Sequence, residues 1–364
     1  MRKRLSHISE VDFDRFLRFA AERPQIVSSG HMLQKLTIFN FVAPVVAWHA
    51  HENILEIGCG LGFHSALLTN YGHVTATELQ VPGSFVAGDA DIANDRAVVF
   101  ETLAKGEVPF QFNDGQHLPF ANGSFDLIFH NSVIEHVPDA AVFNRETART
   151  LKPNGVVICI TGTPALCRFR LVRDFLLRLP VILIASLVKE AGVTSRQGIA
   201  RRLRALVPEG AQAPQPPPAV STWYARLKHY VYCPAYNFLI LDDLAKSAGI
   251  DRDAVLAAAH EHFRGSLWNR LRYYFTAQTH GQHYRDVWHE MSEWKLNRWR
   301  ETFHSAGFDV VEIIPYRFHH LLEVTWSDRI NSALYHWAAP LIERLDRVIP
   351  PGFSSEFILV ARKR

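Results

Sequence analysis

The stretch that decides the fold is Asn53-Ile54-Leu55-Glu56-Ile57-Gly58-Cys59-Gly60-Leu61-Gly62. A short apolar run carries one acidic residue near its end, and three glycines follow at every second position. Glycine has no Cβ, so the chain can turn sharply after a strand and approach a ligand closely. A helix is expected from Phe63 to Tyr71, which places the loop at a helix N-terminus. This pattern indicates a nucleotide-type cofactor site at the carboxyl end of a first parallel strand.

The glycine spacing leaves two cofactors open. NAD-binding loops read G-x-G-x-x-G, whereas this loop reads G-x-G-x-G, with Phe63 where the third glycine of an NAD loop would stand. The carboxylate of Glu56 suits a cation, such as the sulfonium and ammonium of S-adenosylmethionine, better than it suits a pyrophosphate. The loop therefore favours a methyl donor over NAD, and a glycine turn without a ligand is the third interpretation.

Composition excludes several classes of protein. The chain has 364 residues, 48% of them hydrophobic and 21% charged, and its formal net charge is 39 − 36 = +3. These values are ordinary for a globular protein, and the charge gives no general footprint for nucleic acid. Basic residues cluster at 2–4, 168–178, 196–204 and 362–364. Each cluster is either a solvated face or a contact with an anionic membrane surface.

Neither the cysteines nor the apolar segments indicate secretion. The four cysteines show no C-x-x-C spacing, which favours reduced, intracellular usage over disulfides or zinc. The most apolar stretch, Leu179 to Val188, contains Pro180 and is far shorter than the roughly 20 residues of a membrane span. We expect no signal peptide and no transmembrane helix. The expected location is cytoplasmic, with peripheral membrane contact left open.

Apolar runs that alternate with helical segments predict a Rossmann-like α/β fold. The expected sheet has seven mostly parallel strands with helices on both faces. Its strands are expected at 54–57, 74–77, 110–112, 125–129, 156–160, 309–314 and 356–361. Helices are expected within 1–50, at 95–103, at 139–151 (ended by Pro153-Asn154-Gly155) and at 294–306 (ended by Gly307).

Four segments follow from this pattern. Residues 1–50 are expected to be helical and amphipathic, and residues 51–163 to form the cofactor-binding core. Residues 164–285 form a large helical insertion before strand six, with a polyproline-type connector at 214–218. Residues 286–364 end the core and carry a second amphipathic insertion at 316–353.

Further pieces follow the glycine loop in a characteristic order. They are Glu78, the run 114–120 (DGQHLPF), the run 124–128 (SFDLI) with 135–137 (EHV), the run 151–155 (LKPNG) and, more weakly, 306–308 (AGF). In these pieces the chain resembles class I S-adenosylmethionine-dependent methyltransferases, and within them the small-molecule enzymes of ubiquinone and menaquinone biosynthesis. The resemblance covers about residues 50–163, 290–315 and the last strand.

The resemblance implies a role for each cofactor-binding residue. The glycine loop would pass under the methionine part of S-adenosylmethionine, and the adenosine would lie towards the second and third strands. The implied contacts are Gly58, Cys59, Gly60 and Gly62 with the methionine part, Glu56 with the ammonium, Glu78 with the ribose hydroxyls, Asp114 and the Gly115 backbone with the adenine, and Asn131 with the sulfonium. Two alternatives stay open: Glu78 as a surface acid and Asp114 as a turn cap.

The chemistry asks little of the protein beyond alignment, since a sulfonium has an excellent neutral leaving group. A hydroxyl acceptor would need a base, for which His136 is the best candidate in the core; a packed histidine is the alternative. In the insertion, His280 and His283 are candidates to face the acceptor. No carboxylate or cysteine spacing supports a metal there, and Ser132 stands where some metal-dependent relatives carry an acid.

The insertion is expected to choose the acceptor, because it is rich in aromatic residues that suit a flat ring or a sugar face. Basic-apolar segments at 168–189 and 334–345 favour a lipid-linked or quinone-like acceptor. A soluble metabolite and an envelope-sugar intermediate stay open. The expected function is methyl transfer to a small or lipid-linked acceptor, with oxygen as the favoured atom. The alternative is a non-catalytic cofactor-binding or regulatory protein on the same fold, and the oligomeric state is left open.

Overall fold

The computed structural model describes residues 7–27, 29–49, 52–79, 90–113, 116–173, 284–316 and 354–364. The chain divides into two units, the first comprising 1–167, 279–322 and 332–364 and the second 168–278 and 323–331. The elements below belong to the first unit, apart from the last residues of α6. Nearly all of both predicted insertions, 164–285 and 316–353, lies outside the described residues.

A single sheet of seven strands organises the first unit. The strands are β1 (Asn53–Ile57), β2 (His73–Leu79), β3 (Phe110–Asn113), β4 (Phe125–Asn131), β5 (Leu151–Gly162), β6 (Phe308–Tyr316) and β7 (Glu356–Lys363). Their order is β3-β2-β1-β4-β5-β7-β6, and β7 runs antiparallel to both of its neighbours. The predicted seven-stranded, mostly parallel Rossmann-like sheet is confirmed.

Helices cover both faces of this sheet. The described helices are α1 (Glu10–Glu22), α2 (Ser29–Trp48), α3 (Phe63–Leu68), α4 (Ala90–Leu103), α5 (Ala140–Thr150), α6 (Pro164–Arg173), α7 (Val287–Glu293) and α8 (Leu296–Ser305). The first four helices pack on the face formed by Ile54, Phe129 and Ile158. On the other face, the ring of Phe143 in α5 meets His130 edge-on.

The core explains why the strands read as continuous apolar runs. Ile54, Leu55 and Ile57 alternate between the two faces of β1, and all three are fully buried. A strand covered on both faces has no solvent side, so polar alternation is absent. Each such side chain stabilises the fold by about 1.5–3 kcal/mol relative to an exposed one.

Several predicted helices differ from those observed. The N-terminal segment was expected to be amphipathic throughout, but only α1 is amphipathic. The buried residues of α2 are not confined to one face of the helix. The helix predicted from Phe63 to Tyr71 ends at Leu68, where the Thr69 hydroxyl donates to the Ala66 carbonyl at 2.6 Å. The helix predicted at 294–306 is observed as α8, and the sequence did not predict the short helix α7 that precedes it.

The prediction that Pro153-Asn154-Gly155 ends a helix is wrong. The helix α5 ends at Thr150, whose carbonyl already accepts from the Ser124 amide at 2.8 Å and so begins the pairing of β5 with β4. Leu151 pairs with Phe125 and Val156 with Leu127, so the three residues lie in a bulge within β5. Asn154 takes a positive φ of 62° there.

Candidate functional site

The site lies at the carboxyl ends of the parallel strands β1, β2 and β4. From β1, the sheet continues through β2 and β3 on one side and through β4 and β5 on the other. Loops that leave neighbouring strands in opposite directions open a crevice at this point, which is where ligands bind in open α/β sheets.

The glycine loop is fixed by backbone contacts with β2. The amides of Gly58 and Cys59 both donate to the Thr77 carbonyl, at 2.8 and 3.0 Å. Gly58 has a φ of 73° and packs against Val133, whose Cγ2 would lie 2.3 Å from an added Cβ. Gly62 has a φ of 85° and begins α3. The loop is therefore built from conformations and approaches that only glycine tolerates.

Gly60 is the loop residue that opens onto free space. Its φ is 57°, and a Cβ added there would meet no atom within 4 Å. Its amide donates to Oε2 of Glu78 at 2.6 Å, although the two residues are 18 positions apart. Glu78 is 6% exposed. The structure thus brings together the glycine loop and the acid that the sequence assigns to the same cofactor.

Glu56 lies beneath this loop instead of at its surface. Its carboxyl group is 2% exposed. It accepts a hydrogen bond from the Ser65 hydroxyl and lies 3.9 Å from Nδ1 of His64. Burial raises the pKa of Glu56 to about 8, against the opposing effect of the Ser65 hydrogen bond. The carboxyl group can therefore hold or release a proton close to neutral pH.

Cys59 contributes its backbone to the loop. Its thiol is buried, and that burial raises the pKa of Cys59 well above its usual range. Glu56 and Glu78 act in the same direction, whereas Arg96 opposes them. A thiol held protonated in this way is a poor nucleophile.

The end of β4 lies at the same edge of the sheet as the glycine loop. Asn131 is half-buried, and its Oδ1 accepts from the Ser132 hydroxyl at 3.4 Å. Ser132 has a positive φ of 55°. A short 3-10 turn, Ile134–His136, follows and ends in the half-buried His136. Asp114, Gly115, His280 and His283 lie outside the described residues, so their predicted roles stay predictions.

Residues 55–159 match the family model described as a methyltransferase domain. The core of this chain is an S-adenosylmethionine-dependent methyltransferase domain. This decides between the two cofactors that the glycine spacing left open: the loop belongs to a domain whose cofactor is S-adenosylmethionine.

Several curated proteins match the methyltransferase domain. The 27-O-demethylrifamycin SV methyltransferase of Amycolatopsis mediterranei is 30% identical over 115 residues, which cover 31% of this chain and 40% of that protein. The chloroplastic tocopherol O-methyltransferase of Arabidopsis thaliana is 30% identical over 148 residues, covering 38% of this chain and 39% of that one. The 2-methyl-6-phytyl-1,4-hydroquinone methyltransferase of Synechocystis is 29% identical over 105 residues, covering 29% and 30%. The chain spans less than half the length of these relatives.

Among solved structures, an S-adenosylmethionine-dependent methyltransferase from Mesorhizobium loti superposes with a TM-score of 0.39 at 14% identity. The superposition covers 88% of this chain and 97% of the other. The family match at residues 55–159 identifies the methyltransferase domain.

The sequence analysis missed one cation of the methyltransferase domain. Arg96 in α4 is 3% exposed, and its Nε donates to the Gly60 carbonyl at 2.6 Å. Its guanidinium carbon lies 4.0 Å from the ring centroid of Phe110. A signal was present, because Arg96 shares the i, i+3, i+4, i+7 face of α4 with the apolar residues 99, 100 and 103.

The sequence analysis also missed three buried glutamates. Glu135 follows β4, Glu290 lies in α7 and Glu356 begins β7, and none is more than 3% exposed. Burial, with smaller contributions from Glu356 and Glu290, raises the pKa of Glu135 to about 8. The Thr161 hydroxyl donates to Oε2 of Glu135 at 3.1 Å. These side chains come from segments far apart in the sequence, so no local pattern indicates their meeting.

The described residues contain neither a metal-binding cluster nor a membrane-spanning helix. Across 7–173 and the later described ranges, no group of three or more His, Cys, Asp or Glu side chains is arranged to hold a metal ion. Within the same ranges, no helix is both long enough and apolar enough to cross a membrane.

Proposed function

We propose that this protein transfers a methyl group from S-adenosylmethionine to a small or lipid-linked acceptor, at oxygen. The observation that carries the proposal is the hydrogen bond from the Gly60 amide to Glu78, at the carboxyl ends of β1 and β2. It holds a buried carboxylate beside the open face of a glycine loop in a methyltransferase domain. A carboxylate there can accept hydrogen bonds from two vicinal ribose hydroxyls.

The residues present fit the cofactor. The space beside Gly60 leaves room for the ligand, and the carboxyl groups of Glu56 and Glu78 provide hydrogen-bond acceptors at this end of the sheet. S-adenosylmethionine supplies an activated methyl group when bound. The protein has to align the acceptor with that group and exclude water, which is where most of the rate enhancement arises.

His136 is proposed as the base that takes the proton of a hydroxyl acceptor. It is half-buried at the end of the 3-10 turn that follows β4, and its amide donates to the Val133 carbonyl at 2.8 Å. An imidazole acts as a general base when it lies within hydrogen-bond reach of the acceptor's hydroxyl. If the role is correct, His136→Ala lowers kcat by about 100- to 10,000-fold for a hydroxyl acceptor.

The acceptor is proposed to combine an aromatic hydroxyl with an apolar part. A cavity of about 450 Å³ lies beside the 3-10 turn, with apolar walls from Ile134, Val137 and Trp299 and with Tyr284, His289 and Arg298 among its polar groups. Such a mixed lining suits an amphipathic molecule. The names of the tocopherol and hydroquinone relatives support the same class of acceptor.

Calorimetry tests the cofactor, using S-adenosylhomocysteine and NAD with the wild type, Glu78→Ala and Glu101→Ala. Glu101 is an exposed acid on α4 and serves as the control. We expect S-adenosylhomocysteine to bind, NAD not to bind, and Glu78→Ala alone to weaken binding by at least about 10-fold, because a charged hydrogen bond is lost. Failure of the wild type to bind S-adenosylhomocysteine would refute the proposal.

Turnover is tested next, with a prenylated hydroquinone as acceptor and formation of S-adenosylhomocysteine as the readout. Methylation at oxygen, identified by mass spectrometry of the product, would support the full proposal. Cofactor binding without turnover on hydroxyl acceptors of this class would instead favour the non-catalytic alternative.

A further inference from the structure

Arg96 is a buried cation with a donor to spare. Its side chain is 3% exposed, and it crosses from α4 to the glycine loop. Nε is used by the Gly60 carbonyl and the guanidinium plane by the ring of Phe110. Nη2 is buried and has no hydrogen-bond partner in the part of the chain that the structure describes. A buried charged donor without an acceptor is costly, so the unpartnered Nη2 requires an explanation, and a bound ligand would supply one.

Arg96 and Glu78 both form hydrogen bonds with the main chain of Gly60. The Gly60 carbonyl accepts from Arg96 and the Gly60 amide donates to Glu78, each at 2.6 Å. A cation and an anion therefore flank the main chain at the point where the loop opens onto free space. A ligand that enters beside Gly60 meets one group that only donates hydrogen bonds and one that, when ionised, only accepts them.

A ribose hydroxyl needs both kinds of partner. Its proton requires an acceptor, which Glu78 provides, and its oxygen has lone pairs that require a donor. A carboxylate alone leaves the oxygen unsatisfied in a site that excludes water. The spare Nη2 of Arg96 has the chemistry to complete the hydroxyl's hydrogen bonds.

We propose that Arg96 is a second ribose-binding residue: its Nη2 donates to the oxygen of a ribose hydroxyl whose proton is accepted by Glu78. This inference rests on the proposed function, because the ribose is that of S-adenosylmethionine. It gives the site a means of selecting a ribonucleoside over its deoxy form, since loss of the hydroxyl removes the acceptor for Nη2 of Arg96.

Calorimetry with three probes tests the inference: S-adenosylhomocysteine and its 2′-deoxy and 3′-deoxy analogues. The proteins are the wild type, Arg96→Met, which keeps the length of the side chain, and Arg145→Met, which removes an exposed arginine from α5. We expect Arg96→Met to weaken the binding of S-adenosylhomocysteine by about 10- to 100-fold. It should weaken the binding of the deoxy analogue that lacks the contacted hydroxyl by less than about 3-fold. Arg145→Met should leave all three affinities unchanged.

Two results would overturn this inference but leave the proposed function standing. If Arg96→Met weakens all three probes equally, Arg96 acts only by clamping the Gly60 carbonyl, and if it weakens none, Arg96 has no part in binding. If Arg96→Met does not fold, Arg96→Lys is used, which keeps the charge but lacks the planar fork, and the same pattern across the probes is required. A wild type that binds no probe would remove the proposed cofactor site and this inference with it, and that failure is recognised in the unmutated protein.

Discussion

Replacement of Glu135 by glutamine should make the protein more stable, and increasingly so as the pH rises. Glu135 is 2% exposed, and burial raises its pKa to about 8 from the usual 4.5. Glutamine has nearly the same shape and can still accept from the Thr161 hydroxyl. Its amide can also donate towards the acids Glu290 and Glu356, which contribute to the raised pKa.

The sign and size follow from proton linkage. Between pH 4.5 and about 8, the unfolded chain loses the proton of Glu135 while the folded protein keeps it. Stability is therefore lost as the pH rises through this window. One proton corresponds to about 1.4 kcal/mol per pH unit, so Glu135 costs roughly 2–3 kcal/mol between about pH 5.5 and about pH 7.5. Glutamine does not ionise, so its unfolding free energy lacks this decline.

Urea denaturation of the wild type and Glu135→Gln over that pH range measures the difference, with Glu146→Gln as the control. Glu146 is hydrogen-bonded by Arg149, which lowers the pKa of Glu146. Its contribution is present above the unfolded pKa and is lost as the pH falls, so Glu146→Gln should destabilise and give no gain at high pH. Parallel curves for the wild type and Glu135→Gln would refute the reasoning, because they would mean that Glu135 ionises alike in both states.

Three further substitutions test the glycine loop and its support. Ser65→Ala removes the donor to the buried Glu56 and should lower the unfolding free energy by about 1–3 kcal/mol at about pH 9, and by less at about pH 6, where the carboxyl keeps its own proton. The same loss at both pH values would contradict the raised pKa. Gly62→Ala places a Cβ 2.2 Å from the ring of Phe100 at a φ of 85°, and should cost about 2–5 kcal/mol by urea denaturation. Gly60→Ala meets no atom within 4 Å and should cost only about 1–2 kcal/mol for its positive φ. Equal losses at the two positions would contradict the packing argument.

The sequence predicted those parts of the fold that depend on local pattern. Buried parallel strands leave continuous apolar runs, so all seven strands were located, each within a few residues of its observed ends except the start of β5. The family resemblance implied that Gly60 and Glu78 serve one site, and the structure joins them by a hydrogen bond. The loop conformation followed from the glycines themselves.

The sequence did not predict the features that depend on tertiary contacts. Pro153-Asn154-Gly155 has the propensity of a helix end, but pairing of Thr150 with Ser124 ends the helix earlier. Glu135, Glu290 and Glu356 meet only because three distant segments converge, and charged residues are normally expected at the surface. Arg96 stood on an apolar helix face, a signal that was present and not used.

The position of β7 has a consequence for synthesis on the ribosome. β7 lies between β5 and β6 in the sheet, yet it follows both of them in the chain. Until residues 356–363 have emerged, the edge of β5 has no partner on that side, and its apolar residues stay open to other nascent chains. Translation that stops early, even after the whole of the cofactor-binding core has been made, should therefore give a product that needs chaperones and is prone to aggregate.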